Sequence, residues 1–214
     1  MPFSKAAIES AETHLRASDP VVRQMIDEVG PFTLRLERDR FRMLVRSIIS
    51  QQISTGAARS IRQRLVELCA PAGLTAASLI QFSPEQLRSA GVSPQKARYI
   101  LDLATHVQDG RVALRRIGHF SDERVIEQLT MVKGIGRWTA QMFLIFSLGR
   151  LDIFPHDDLG VRKAIRNRYG LNALPDKASS CSIAEKWRPF VSVASWYCWQ
   201  SLDLGRVGDA VATG

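Results

Sequence analysis

The 214-residue sequence lacks what several large protein classes require. Its three cysteines, Cys69, Cys181 and Cys198, are odd in number and widely spaced, and no C-x-x-C pair occurs. That argues against a disulfide framework and leaves no ligand set for a zinc ribbon or an iron–sulfur cluster. The longest uncharged stretches, 138–149 and 189–202, are shorter than the roughly 18–20 apolar residues of a spanning helix, so both read as core helices. The N-terminus, MPFSKAAIESAETHLR, has no apolar run and carries charge from Lys5 onward, unlike a secretory signal. An intracellular protein is expected, cytoplasmic or nucleoid-associated if bacterial. The histidines His14, His106, His119 and His156 are scattered, whereas a metal site needs convergent ligands. No linker rich in Pro, Gly and Ser and no internal repeat is visible, so no domain boundary declares itself.

What is present is an apolar fraction of 45% and a surplus of cations, 29 Lys and Arg against 21 Asp and Glu, for a formal charge of +8. The apolar content suits one compact domain or two interlocked lobes. The charge favours a polyanionic partner, either nucleic acid or an anionic membrane surface.

Nearly every strong pattern is helical, and the fold class expected is all-α. Phe41, Leu44, Val45 and Ile48 fall at i, i+3, i+4 and i+7, with Arg42 and Arg46 outside the stripe. After SQQIST, the spacing predicts a second face on Ala57, Ile61, Leu65 and Leu68. Ser83-Pro84 and Ser93-Pro94 each place a good N-cap before a proline at the first helical position, with Gly91 as a helix stop between them. Ser121 caps a helix that runs into VKGIG and out again into RWTAQMFLIFSL. Asp157 or Asp158 starts another helix ending near Gly170. Ser182 with Glu185 matches a capping box before a last, Trp-rich helix. VALRRI around Val112 is too short and too basic for a sheet.

Two stretches can carry chemistry. In LTMVKGIGRWTA, 129–140, two glycines flank an isoleucine between helices. They serve either an ordinary helical hairpin or a phosphate grip, in which positive φ turns the chain and missing side chains expose the following helix's N–H groups. Lys133 and Arg137 on either side favour anion binding. In LDIFPHDDLGVRKAIRNRYG, 151–170, Asp157 and Asp158 precede a helix whose other charges, Arg162, Lys163, Arg166 and Arg168, are all positive. One aspartate is the N-cap in the plain reading; the basic surroundings allow a carboxylate held beside a DNA backbone.

GIGRWTA followed by FPHDD resembles the helix-hairpin-helix DNA glycosylase superfamily and, within it, the 3-methyladenine glycosylase II branch. IISQQIS, LRSAGVSPQKARYILDLA and WRPFVSVASWYCW are similar to the same branch, so the resemblance spans about 41–202 in several ordered motifs. It implies a two-lobed fold with the active site in the cleft between lobes, one glycosylase unit over 1–214, with lobes near 41–150, holding hairpin 129–140, and 1–40 plus 151–214. It further implies that Asp158 is the catalytic aspartate and that Gly134 and Gly136 hold a phosphate, with Lys133, Arg137 and Thr139 completing the hairpin's DNA contacts. Gln52, with Ile53 beside it, would enter the stack where a nucleotide has left, and Trp138, Trp199 and Met142 would line the base pocket. Trp187 and Trp196 read as core. A structural monovalent cation would sit on the carbonyls of Thr130, Val132 and Ile135, and catalysis would need no cofactor.

Departures refine this. Bifunctional relatives carry a lysine two residues beyond the second hairpin glycine; that position is Trp138, and Lys133 lies before the glycines. Hydrolysis without strand cleavage follows. The four-cysteine cluster of another branch is absent, and the residues before Phe41 are too few for the extra N-terminal domain of larger members. The expected function is excision of alkylated purines of the 3-methyladenine and 7-methylguanine type from double-stranded DNA in base excision repair, by a monomer with no obligate protein partner and no membrane. Two alternatives stay open: a helix-hairpin-helix module that binds DNA structures or abasic sites and cuts nothing, and a glycosylase of the same superfamily for a different lesion.

Overall fold

The computed structural model of the chain describes residues 3–212, with side chains through 204. Among these there are helices and turns and no strand, the all-α class expected. The chain forms two units: Glu37–Ser147, and Met1–Leu36 together with Leu148–Gly214.

The continuous unit holds α3 (Arg40–Ser50), α4 (Thr55–Leu68), α5 (Ala76–Leu79), α6 (Pro84–Ser89), α7 (Pro94–Gln108), α8 (Asp122–Thr130) and α9 (Arg137–Phe146). α7 packs against α3, α5 and α6, while α9 packs against α8 and α3. The α3 stripe holds, with Leu44, Val45 and Ile48 buried, Phe41 half-buried, and Met43 and Ile49 added to the core. On α4 Leu65 is buried and Ile61 and Leu68 half-buried, as expected, but Ala57 is exposed and Ala58 is buried in its place, seven residues before Leu65. Ser83, Ser93 and Ser121 cap α6, α7 and α8 through side chains that accept from Gln86, Lys96 and Arg124 N–H groups. Each such cap stabilises its helix by about 1 kcal/mol. The two ends of the unit are stapled, since the Glu37 N–H donates to the Phe146 carbonyl at 2.8 Å and the Ser147 hydroxyl to the Glu37 carbonyl at 2.9 Å.

The discontinuous unit holds α1 (Lys5–Ser18), α2 (Pro20–Val29), α10 (Leu159–Arg168), α11 (Lys177–Ala184) and α12 (Val191–Ala212). α12 packs against α1, α2 and α10 around Leu15, Met25, Val161, Ile165, Trp187 and Tyr197. Trp187 and Trp196 are core, as expected. Asp19, 1% exposed, shows how this core tolerates a carboxylate. Its Oδ1 caps α2 by accepting from Val21 and Val22, and its Oδ2 accepts from the Tyr169 hydroxyl at 2.6 Å and the Trp187 indole at 3.3 Å. Burial and the neighbouring carboxylate push the Tyr169 phenol well above its ordinary range.

The Ser182–Glu185 capping box does not form. Asp176 caps α11 instead, accepting from Ser179 at 2.8 Å, so Ser182 falls inside that helix. A 3-10 turn over Glu185–Trp187 and the Arg188–Pro189 step then separate α11 from α12. Cys69 and Cys198 are buried and Cys181 half-buried, all three free thiols. Complete burial pushes the Cys198 thiol up to about 12. No helix of the described residues is long and apolar enough to cross a membrane.

Candidate functional site

Turn and hairpin come together in the continuous unit. Between α8 and α9 the chain reverses over 131–136. Only one of its two glycines supplies positive φ, contrary to the expectation for both. Gly134 has φ +85, and a Cβ there would overlap the Tyr99 ring, so ring and backbone conformation both require glycine. Gly136 has φ −91, which any residue adopts, and a Cβ there would meet nothing within 4 Å. It is the N-cap of α9 and makes no side-chain cap.

The charges around the hairpin are unequal. Lys133 is exposed, and its backbone N–H donates to Asp102 at 2.8 Å. Arg137 instead forms a two-armed ion pair with Glu123, at 2.7 and 3.2 Å, which holds the Glu123 carboxyl below the usual range. Thr139 is buried and seats the helix rather than facing outward. The Val132 carbonyl already accepts from the Ile135 N–H at 3.1 Å, and the Thr130 hydroxyl turns back to Ile126. The donors expected for a cation are thus neutral carbonyl oxygens, the hard-ligand chemistry that suits a monovalent ion. No group of His, Cys, Asp and Glu among the described residues could hold a metal.

Gln52 stands at φ +56 in the turn after α3, an unusual conformation for a residue with a Cβ, costing about 1–2 kcal/mol. Gln52 is exposed, and Ile53 beside it is 36% exposed. Three residues without an assigned role hold this turn. The Gln51 amide donates to the Gly134 carbonyl at 2.8 Å, and the Lys96 ammonium donates to the carbonyls of Ile49 and Gln51 at 2.7 and 2.6 Å. Partial burial pulls the Lys96 pKa down. Tyr99 lies against Gly134. A signal existed: Lys96, Tyr99 and Asp102 recur every three residues beside the buried Ala97, Ile100 and Leu103.

The other unit brings Asp158 and Trp199 together. Asp158, 8% exposed, is the N-cap of α10, and its Oδ1 accepts from Val161 N–H and from Trp199 Nε1, both at 2.8 Å. A Cβ on Gly160 would lie 3.0 Å from both Asp158 Oδ1 and Trp199 Cδ1, so a side chain there would push ring or carboxylate aside by a few tenths of an ångström. Asp157 is exposed and lies 3.2 Å from His156. Trp138, 42% exposed, and the buried Met142 are one turn apart on α9, in the unit that also carries the hairpin.

Two of the four cations after Asp158 are engaged within the protein, Arg168 by an ion pair and Arg162 through Nε alone. Arg162 Nε donates to the Pro175 carbonyl at 2.8 Å, and Arg168 is paired with Glu28 and reaches the Ser201 carbonyl. Arg166 donates to Asn167 and Lys163 is exposed.

Comparison with known proteins supplies the family. Residues 45–189 match the model of the HhH-GPD superfamily of base excision DNA repair proteins. Schizosaccharomyces pombe 3-methyladenine DNA glycosylase (Mag1), solved with abasic DNA, is 31% identical with a TM-score of 0.81, over 89% of this chain and 95% of that one. A DNA-3-methyladenine glycosidase from Bacillus halodurans is 36% identical with a TM-score of 0.82, over 89% and 88%. The chain also matches the YfjP protein of Bacillus subtilis, 31% identical over 84% of this chain, and spans 64% of that longer relative. On a match over most of its length, and on a fold shared at this level of identity, the chain belongs to the HhH-GPD superfamily of base excision DNA repair proteins.

Proposed function

We propose that the protein is a monofunctional DNA glycosylase that excises alkylated purines. The observation that carries this is the Asp158–Trp199 hydrogen bond, a buried carboxylate oriented by an aromatic side chain beside a glycine that permits the approach. A module that only grips DNA needs Asp158 as a helix cap but does not need an indole aimed at it. The named activities of the relatives support the alkylated-base class.

DNA is the partner, and a base inside a duplex cannot be reached, so the nucleotide is extruded at a cost of a few kcal/mol. The backbone N–H groups at the N-terminus of α9 take one phosphate, and the open space at Gly136 lets it approach. Lys133 adds charge; Arg137 does so only in exchange for Glu123. Gln52, held at φ +56, and Ile53 fill the gap. Trp199, beside Asp158 in its own unit, receives the base. An N3- or N7-alkylated purine is cationic, and stacking on an indole face is worth about 0.5–2 kcal/mol. As the glycosidic bond breaks, the base leaves neutral and positive charge develops on the sugar. The Asp158 carboxylate stabilises that charge and orients the water that adds to C1′, taking up its proton. Trp138 stands where a Schiff-base lysine would be, so no strand is cut. The Thr130, Val132 and Ile135 carbonyls would hold a monovalent cation, which would stiffen the turn. The protein acts as a monomer on cellular DNA.

The test is incubation with methylated duplex and identification of the bases released. Free 3-methyladenine or 7-methylguanine, with no covalent complex trapped by borohydride, is the expected result. No free base from any alkylated, deaminated or oxidised duplex would leave the binding module as the reading.

A further inference from the structure

A groove of about 520 Å³ runs between α3 and α4, lined by Arg42 and Arg46 from one helix and Arg59 and Arg62 from the other. The pairs are spaced i, i+4 and i, i+3, so each forms one row on its helix and the two rows meet across the groove. Facing guanidinium rows repel one another unless something negative lies between them. The protein supplies that only in part. Arg42 pairs with Asp39 at 3.1 Å and Arg46 with Glu37 at 3.7 Å, and Glu67 accepts from the Gln63 amide. No carboxylate pairs with Arg59 or Arg62 among the described residues. The turn at Gln52 joins the same two helices. At 1.5 Å per residue, the four arginines stand about 7–14 Å along their helices from that turn. One DNA strand places about two to four phosphates over that distance.

We propose that this groove seats the sugar–phosphate backbone flanking the lesion, with Arg59 and Arg62 as phosphate ligands and Arg42 and Arg46 lining the opposite wall. The proposal rests on the reading that the chain acts on duplex DNA, and it adds a second backbone contact on the unit that carries the hairpin. Guanidinium forks match phosphate oxygens two at a time, which suits arginine here better than lysine. The volume accommodates a stretch of backbone rather than a single ion.

The test compares the full chain with the Arg59→Gln/Arg62→Gln variant on a duplex about two helical turns long. The slope of log affinity against log salt falls by about two, at about 0.9 for each phosphate left without its arginine. In a second arm, each phosphate two to four steps from the lesion, on either strand and either side, is replaced by a neutral methylphosphonate. Positions that weaken the unaltered protein no longer weaken the double variant. An unchanged slope, or additive effects at every position, overturns the proposal. So does inorganic triphosphate that protects the unaltered protein but not the variant against heat while the duplex slope stays constant, because the groove is then a small-anion site. The Arg59→Lys/Arg62→Lys variant keeps the charge and retains most of the slope; an equal loss there assigns the effect to misfolding and counts against the groove. Base release is scored separately. Its absence sinks the enzymatic reading and leaves the phosphate coupling measurable on undamaged duplex.

Discussion

The side-chain amide of Gln51 donates to the backbone carbonyl of Gly134 across 2.8 Å, tying the turn that carries Gln52 to the hairpin that carries Gly136. Lys96 braces the same turn from α7. Gln51→Ala removes one hydrogen bond of about 0.5–1.5 kcal/mol and Lys96→Met two of them. Single-turnover base release from duplex is expected to slow about threefold to tenfold for Gln51→Ala and further for Lys96→Met. Binding to a duplex that already holds an abasic site changes less, because extrusion is complete there. Equal losses in both assays would assign the pair to hairpin stability alone.

Asp158 separates chemistry from folding through the choice of substitution. Asp158→Asn keeps an oxygen for Val161 N–H and Trp199 Nε1, so the melting temperature and DNA affinity hold while base release drops by about 100-fold or more. Asp158→Ala also uncaps α10 and loses about 1 kcal/mol of stability. Full activity in the asparagine variant would remove Asp158 from the mechanism. Trp199→Phe, which keeps the ring and deletes the N–H donor, lowers the release rate about tenfold with little change in melting.

The two hairpin glycines should respond in opposite ways. Gly134→Ala drives a methyl group into Tyr99 and is strained at φ +85, so the protein loses about 2 kcal/mol or more in denaturant unfolding. Gly136→Ala meets no protein atom and leaves unfolding unchanged, yet weakens DNA binding by obstructing the phosphate. A Gly136→Ala protein that binds as tightly as the parent would remove the phosphate from that position.

Tyr169 and Tyr197 make stability depend on pH at the alkaline end. Burial and the acceptors Asp19 and Glu12 raise both phenols above the ordinary value of 10.0. A raised folded-state pKa means the unfolded chain loses its protons first. Their contribution is therefore complete below about pH 10 and declines as pH rises beyond it. Denaturant midpoints measured from pH 8 to 11 should fall in that upper range, and Tyr169→Phe should flatten the fall.

Local chemistry was the most legible part of the sequence. Ser83, Ser93, Ser121 and Asp158 announce their helices because a cap is a contact over three residues. The GIGRWTA and FPHDD motifs pointed to the hairpin and to Asp158 through their resemblance to a known family. What stayed hidden depends on partners far along the chain. Gln51 meets Gly134, Arg137 meets Glu123, and Arg168 meets Glu28, 140 residues away. Charge counting assigned Arg137, Arg162 and Arg168 to DNA because nothing local showed that the protein uses them itself. Ser182 misled for the opposite reason: its local match to a capping box was good, but Asp176 had already begun the helix.

The staple at Glu37, Phe146 and Ser147 has a consequence for biosynthesis. The continuous unit closes on itself as soon as residue 147 has been made, whereas α1 and α2 must wait for α10 and α12. At ordinary translation rates that wait lasts roughly ten seconds. During it, the apolar faces of Leu15, Val22 and Met25 have no lasting cover of their own, and that segment of the nascent chain is open to chaperones and proteases.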